Sequence, residues 1–186
     1  MLKVDIEVKR QRGFEFVSPK ELERSYDWEE EYTKKTGIEV YNLADNHVGN
    51  FNTNGEKLPF RKTKGSSGYD FYLPTHFMFV HPKETVMLVT GIRAYMQEDE
   101  ELKLYIRSSV GLQGLMIADI VPKIDSDYYY SENEGNIMIP FYNYSNEMLK
   151  FNRGDRLVQG SFYNYLVSDN GNGNQERKGG FGSTGR

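Results

Sequence analysis

Three short segments carry residue types that could bind or cleave a phosphate. The first is Arg107-Ser108-Ser109, where a guanidinium and two hydroxyls follow an alternating apolar run and lead to Gly111. Such a group suits a phosphate, or an ordinary surface turn. The second is Asp125-Ser126-Asp127, followed by Glu132-Asn133-Glu134. It fails as a calcium loop, because the sixth residue is Tyr130 instead of Gly and the twelfth is Asn136 instead of Glu. Acids among tyrosines are unusual in a strand-rich region, which makes Asp125 a candidate for proton chemistry. The third is Gly180-Phe181-Gly182-Ser183-Thr184-Gly185, with Arg177 and Lys178 just upstream. It fits the GxGxxG string, but a dinucleotide fold needs a helix after it and only Arg186 follows. Backbone N–H groups freed by glycine, two hydroxyls and an Arg can instead cradle a phosphate. Phe181 beside them can stack on a base.

Other candidates are weaker. Gly154-Asp155-Arg156 reads as a turn before an apolar strand that carries Gln159, and a structural Asp155–Arg156 pair is its simplest reading. His47, His76 and His81 share no metal-ligand spacing. Glu29, Glu30 and Glu31 point in different directions on a helix and read as a solvated face. The absence of Cys excludes a thiolate zinc site, a disulfide frame and a cysteine nucleophile. A net charge of −4 argues against a general nucleic-acid coat. No apolar run is long enough for a membrane span, and MLKVDIEVKR lacks a signal-type apolar run. A cytoplasmic protein is therefore expected.

These segments need elements to position them. Residues 1–10 alternate and predict a strand. Residues 18–36 predict a half-buried surface helix: Ser18 and Glu21 have capping-box spacing, Pro19 suits the first turn, and Gly37 is a stop signal. Residues 37–66 read as loop. From Tyr69 onward, short apolar runs predict strands at 69–73, 77–80, 85–90, 92–97, 102–107, 115–121, 136–142, 148–151 and 157–166. Many short strands imply an all-β barrel or sandwich in one domain spanning 1–186. Residues 168–186 lack apolar periodicity and are expected to stay mobile until a ligand orders them.

Taken in order, five segments resemble the motifs of the homotrimeric dUTPase family, in its Gram-positive bacterial and phage branch. They are Ser67-Gly68-Tyr69-Asp70-Phe71, preceded by Leu58-Pro59-Phe60-Arg61; Arg107-Ser108-Ser109-Val110-Gly111; and Ile124-Asp125-Ser126-Asp127-Tyr128, closed by Gly135-Asn136-Ile137. Gly154-Asp155-Arg156-Leu157-Val158-Gln159 and Arg177 through Gly185 follow. The resemblance covers about residues 57–186 and strand 1–10. It implies a distorted jelly-roll-like β-barrel, a homotrimer with shared sites, and hydrolysis of dUTP to dUMP and pyrophosphate. That reaction keeps uracil out of DNA and supplies dUMP.

The same resemblance implies the site. Asp125 is the general base that deprotonates the attacking water. Arg107, Ser108, Ser109 and Gln159 hold the triphosphate. Tyr128 packs on the deoxyribose and leaves no room for a 2′-hydroxyl. Asp119 and Ile124 lie beside the base. Arg177, Phe181, Gly182, Ser183 and Thr184 form a lid over 168–186. Asp70, Asp155 and Arg156 support from behind, and Mg²⁺ rides on phosphates and waters. The chain departs from the family pattern at Asp119, where Asn is usual, and at Pro122-Lys123, where Gly is usual. Its tail is one residue shorter than the commonest form between Arg177 and Phe181. Residues 13–56 form an insert with no assigned role. Rival readings are a dCTP deaminase-like enzyme and a nucleotide-sensing module with a regulatory protein partner.

Overall fold

The computed structural model describes residues 10–42 and 57–170. The expected strand at 1–10, most of the Asn-rich loop and the lid residues Arg177, Phe181, Gly182, Ser183 and Thr184 lie outside the described residues. The first elements are β1 (Gly13–Phe16), α1 (Pro19–Thr36) and β2 (Glu39–Asn42). Next come β3 (Tyr69–Tyr72), β4 (Phe77–Val80), β5 (Thr85–Val89), β6 (Ile92–Tyr95) and β7 (Glu100–Ile106). A short α2 (Ser108–Gly111), β8 (Leu115–Ile117), β9 (Lys123–Asp125) and a 3-10 turn (Ser126–Tyr130) follow. The last strands are β10 (Met138–Asn143), β11 (Leu149–Asn152) and β12 (Arg156–Asn164).

The fold is all-β, and the described strands form four sheets. Two have four strands, in the orders β2-β5-β10-β8 and β3-β12-β7-β9; two are ribbons, β1-β6 and β11-β4. Among the described residues all strand pairs are antiparallel except β2 with β5. Among the described residues, the main buried cluster includes Phe71, Leu102, Leu104, Ile117, Ile139 and Phe141.

Helix α1 forms where the capping signals place it. The Ser18 hydroxyl accepts the Glu21 N–H, and Gly37 closes the helix at φ 72°. That left-handed angle is one glycine takes without steric cost. Lys34 and Lys35 in the last turn suit the negative end of the helix dipole. Trp28 and Tyr32, stacked 4.6 Å apart, pack with Ile38 on Val40, Met87, Val89 and Met138. The helix thus covers one sheet and leaves its charged side to water, as a half-buried surface helix should.

The structure corrects several expectations. The loop at 37–66 contains strand β2, and Phe60 bridges Asp70. β2 is short, and Val40, Tyr41 and Asn42 are buried on both faces, so no alternation marks it. The strand at 115–121 ends at Ile117, because Ile120 adopts φ 61° and its N–H donates to the Ile117 carbonyl. The acidic, Tyr-rich stretch is a 3-10 turn. Ser108 and Ser109 open a short helix where a turn was expected.

Candidate active site

Strand alternation places the candidate groups on one face of sheet β3-β12-β7-β9. On β7, Leu102, Leu104 and Ile106 face the core opposite Phe162, Gly160 and Val158 of β12. The intervening Glu101, Lys103 and Tyr105 oppose Tyr163, Ser161 and Gln159. Gln159 also opposes Asp70, and Glu101 also opposes Asp125. Period-2 side-chain alternation therefore makes a polar strip running from Asp70 and Gln159 at one end to Asp125 at the other.

The first end is a cluster of charged and polar groups of the kind that can bind phosphate. Asp70 is buried, and its two oxygens hold two guanidinium groups: Arg107 Nε is 3.1 Å from Oδ1 and Arg156 Nη1 is 2.9 Å from Oδ2. Each Arg keeps donors beyond this bond, since a guanidinium has five. Arg156 thus pairs with Asp70 and not with Asp155. The Asp155 carboxylate instead accepts the Asn152 N–H at 2.8 Å. Gly68 lies against Gln159, and a Cβ there would sit 2.6 Å from its Oε1. Ser108 and Ser109 are exposed at the start of α2, beside Arg107.

The other end is built on β9, the edge of its sheet. Lys123 and Asp125 stand on the same face, with Lys123 Nζ 3.3 Å from Asp125 Oδ1. Lys123 Nζ also lies 3.9 Å from Glu101 Oε2, and Lys103 Nζ lies 2.8 Å from Glu101 Oε1. A pocket of about 320 Å³ is lined by Lys123, Asp125, Ser126, Asp127 and Tyr165. Glu101 and Lys103 were not singled out in the sequence, and Lys123 stood out only as a departure from the family pattern; spacing of two along a strand was the signal available. Between the ends, the Tyr105 hydroxyl donates to Tyr163 at 3.4 Å, and this bond pushes Tyr105 up to about 12.

Asp119 is exposed in the turn before β9, and Ile124 is buried between Asp125 and Lys123. Tyr128 is 2% exposed. Its hydroxyl donates to the Asn136 carbonyl at 2.8 Å and accepts from Asn133 Nδ2 at 2.8 Å. The ring is packed in the core with its hydroxyl held from two sides.

The two ends do not meet within one chain. Asp125 pairs at Glu101, whereas Arg107 follows the far end of β7. Six residues of extended strand span roughly 20 Å.

A dUTPase family model matches residues 55–185. The deoxyuridine 5′-triphosphate nucleotidohydrolase of Lactococcus lactis is 41% identical over 143 residues, covering 74% of this chain and 94% of its own length. That of Legionella pneumophila is 34% identical over 137 residues, covering 69% and 87%. Among solved structures, the dUTPase of Streptococcus mutans superposes with a TM-score of 0.61 at 29% identity, over 85% of this chain and 99% of that one. The dUTPase of phage phi11 of Staphylococcus aureus superposes at 0.53 and 20% identity, over 64% and 90%, a likeness of fold. With the polar strip, the ordered motifs and these relatives in agreement, the chain belongs to the dUTPase family.

Proposed function

We propose that this dUTPase hydrolyses dUTP to dUMP and pyrophosphate at sites assembled between copies of the chain. The observation that carries the reading is the division of the polar strip. One end holds phosphate-binding groups and the other holds a carboxylate beside a pocket, roughly 20 Å apart along β7. A neighbouring copy that brings its Asp125 end to this chain's Arg107 end completes a site, and three such contacts close a trimer. Exposed apolar side chains support burial against another copy: Leu166 is 98% and Val167 67% exposed.

In this site Arg107, Arg156, Gln159, Ser108 and Ser109 bind the triphosphate. Asp70 holds the two guanidinium groups in place, so their charge is aimed before substrate arrives. Asp125 accepts a proton from water as its oxygen attacks the α-phosphorus. The bond from that phosphorus to the bridging oxygen breaks, and pyrophosphate leaves. Lys123 orients the Asp125 carboxylate. The base lies along β9, whose edge offers backbone N–H and C=O groups, with Ile124 beneath and Asp119 at the rim. Tyr128 is the wall against the deoxyribose. Arg177, Phe181, Gly182, Ser183 and Thr184 close over the substrate as a lid, with Asp155 holding the turn before β12.

The donor set at the phosphate end suits a metal carried by phosphates. Its groups are guanidiniums, hydroxyls and an amide, and both oxygens of Asp70 are already taken. Mg²⁺ bound to the triphosphate would neutralise charge on the leaving pyrophosphate. Among the described residues no helix is long and apolar enough to cross a membrane. The reading places the protein in the cytoplasm, with the nucleotide pool. Residues 1–186 act as a single domain in it.

The test is pyrophosphate release across the four common dNTPs, dUTP and UTP with Mg²⁺. Release from dUTP in strong preference to the rest is expected. Ammonia from dCTP with no pyrophosphate from dUTP would overturn the assignment.

A further inference from the structure

The segment from β1 into α1 takes no part in the chemistry above, yet it grips the stretch carrying Tyr128 at three places. On one side the Tyr129 hydroxyl donates to Glu15 Oε2 of β1 at 2.6 Å. Arg93 lies 4.3 Å over the Tyr129 ring and 3.1 Å from the same Glu15 oxygen. On the other side the Ser18 N–H donates to Glu134 Oε2 at 2.8 Å, and its hydroxyl donates to Glu134 Oε1 at 2.6 Å. Deeper in, Asn136 Nδ2 donates to buried Glu21 Oε1 at 3.3 Å, while Asn136 Oδ1 accepts the Gly91 N–H at 3.0 Å. Tyr128 sits between these anchors, tied to Asn136 and Asn133.

The helix cap shows that this is more than packing. In a capping box the acid three residues into the helix returns to bond the N-cap backbone. Here Glu21 turns to Arg24 and Asn136, and the return bond to Ser18 comes from Glu134, 116 residues away. A cap closed locally would serve the helix alone. This one joins the helix start to the loop behind Tyr128. Glu134 also holds φ 51°, which non-glycine side chains rarely adopt. Next to it Gly135 has φ 73°, and a Cβ there would lie 2.9 Å from the Tyr128 carbonyl oxygen. The loop is pressed against the Tyr128 backbone and held there by Ser18.

We propose that the β1–α1 segment sets the preference for deoxyribose over ribose, with Glu134 and Ser18 as positioning residues for Tyr128. The proposal rests on Tyr128 being the sugar wall. Steric exclusion of a 2′-hydroxyl works only if the wall cannot yield, and a wall is as rigid as the groups that support it. Removing the Ser18–Glu134 bonds leaves Tyr128 in the apolar core, so the fold persists while the wall softens.

The experiment measures kcat/KM for dUTP and UTP in the full chain and in Glu134→Ala, Ser18→Ala, Ser18→Thr and Tyr128→Ala, with melting temperatures alongside. Glu134→Ala and Ser18→Ala are expected to lower the dUTP:UTP ratio by roughly tenfold, chiefly through better use of UTP. Ser18→Thr keeps both donors and is expected to keep the ratio. Folded Glu134→Ala with an unchanged ratio, while Tyr128→Ala lowers it, overturns the positioning role alone. An unchanged ratio in Tyr128→Ala overturns the sugar-wall reading and this inference with it. If Glu134→Ala does not fold, Ser18→Ala decides in the same way, since Glu134 then keeps only the Ser18 N–H bond.

Discussion

Mixing two inactive variants tests whether the site is shared between chains. Asp125→Asn removes the proton acceptor and should lower turnover by about 10²–10⁴-fold. Arg107→Gln removes a phosphate donor and should cost about 10²-fold or more. Arg107 and Asp125 are roughly 20 Å apart along β7 in one chain, so the proposed site takes one from each of two copies. In trimers assembled at random from equal amounts, a site is intact when its Arg107 comes from the Asp125→Asn chain and its Asp125 from the Arg107→Gln chain. That occurs in about one quarter of sites for a cyclic assembly. The two chains are refolded together, mixing is verified by native mass spectrometry, and pyrophosphate release is measured. Recovery to about a quarter of wild-type activity is expected. A verified mixture no more active than its parents would refute the shared site, and with it the argument from strand length.

Three further outcomes are expected. Deleting residues 176–186 should collapse pyrophosphate release at unchanged melting temperature; a fully active truncation would remove the lid. Asp70→Asn should release Arg107 and Arg156, lowering kcat/KM by at least about tenfold and stability by about 1–2 kcal/mol; wild-type kinetics would show that the guanidiniums aim themselves. Glu100, held by Arg12 Nε at 2.8 and 3.0 Å, has its carboxyl lowered from the ordinary 4.5 chiefly by that bond. Its contribution is therefore full above pH 4.5 and lost as pH falls through the lowered value. Urea titrations below pH 4.5 should show a shallower loss of stability in Glu100→Gln than in the parent, and identical slopes would contradict the assignment.

Much of this was legible in the sequence, for reasons tied to particular residues. Ser18, Pro19 and Gly37 mark α1 because capping and stop signals act within one turn. Leu102, Leu104 and Ile106 mark β7 because alternation reports which face is buried. The same alternation does not report the partner strand, so the ordering β3-β12-β7-β9 was not visible. Nor was the distance between Arg107 and Asp125. Arg156 looked paired to its neighbour Asp155, but Asp155 lies in the turn before β12, where its carboxylate accepts the Asn152 N–H, and Asp70 lies across the ladder. β2 was missed because burial on both faces erases its alternation. The Ser18–Glu134 bond joins positions 116 apart, where no local spacing rule applies.

One pattern in β7 does two jobs, and this constrains the site more than its loops do. Residues 102, 104 and 106 fill the core, while 101, 103, 105 and the following Arg107 build the polar strip. A slip of one residue in pairing would turn Leu102 and Leu104 out of the core and turn Glu101 and Lys103 toward it. The hydrophobic cost of that slip protects the functional register. The gap between the two ends of the strip follows from the length of β7, so it is fixed by the same ladder that fixes the core. On the proposed reading, a single copy of this sheet cannot bring Asp125 to Arg107 without breaking that ladder. The proposed sharing of the site between copies leaves the sheet intact.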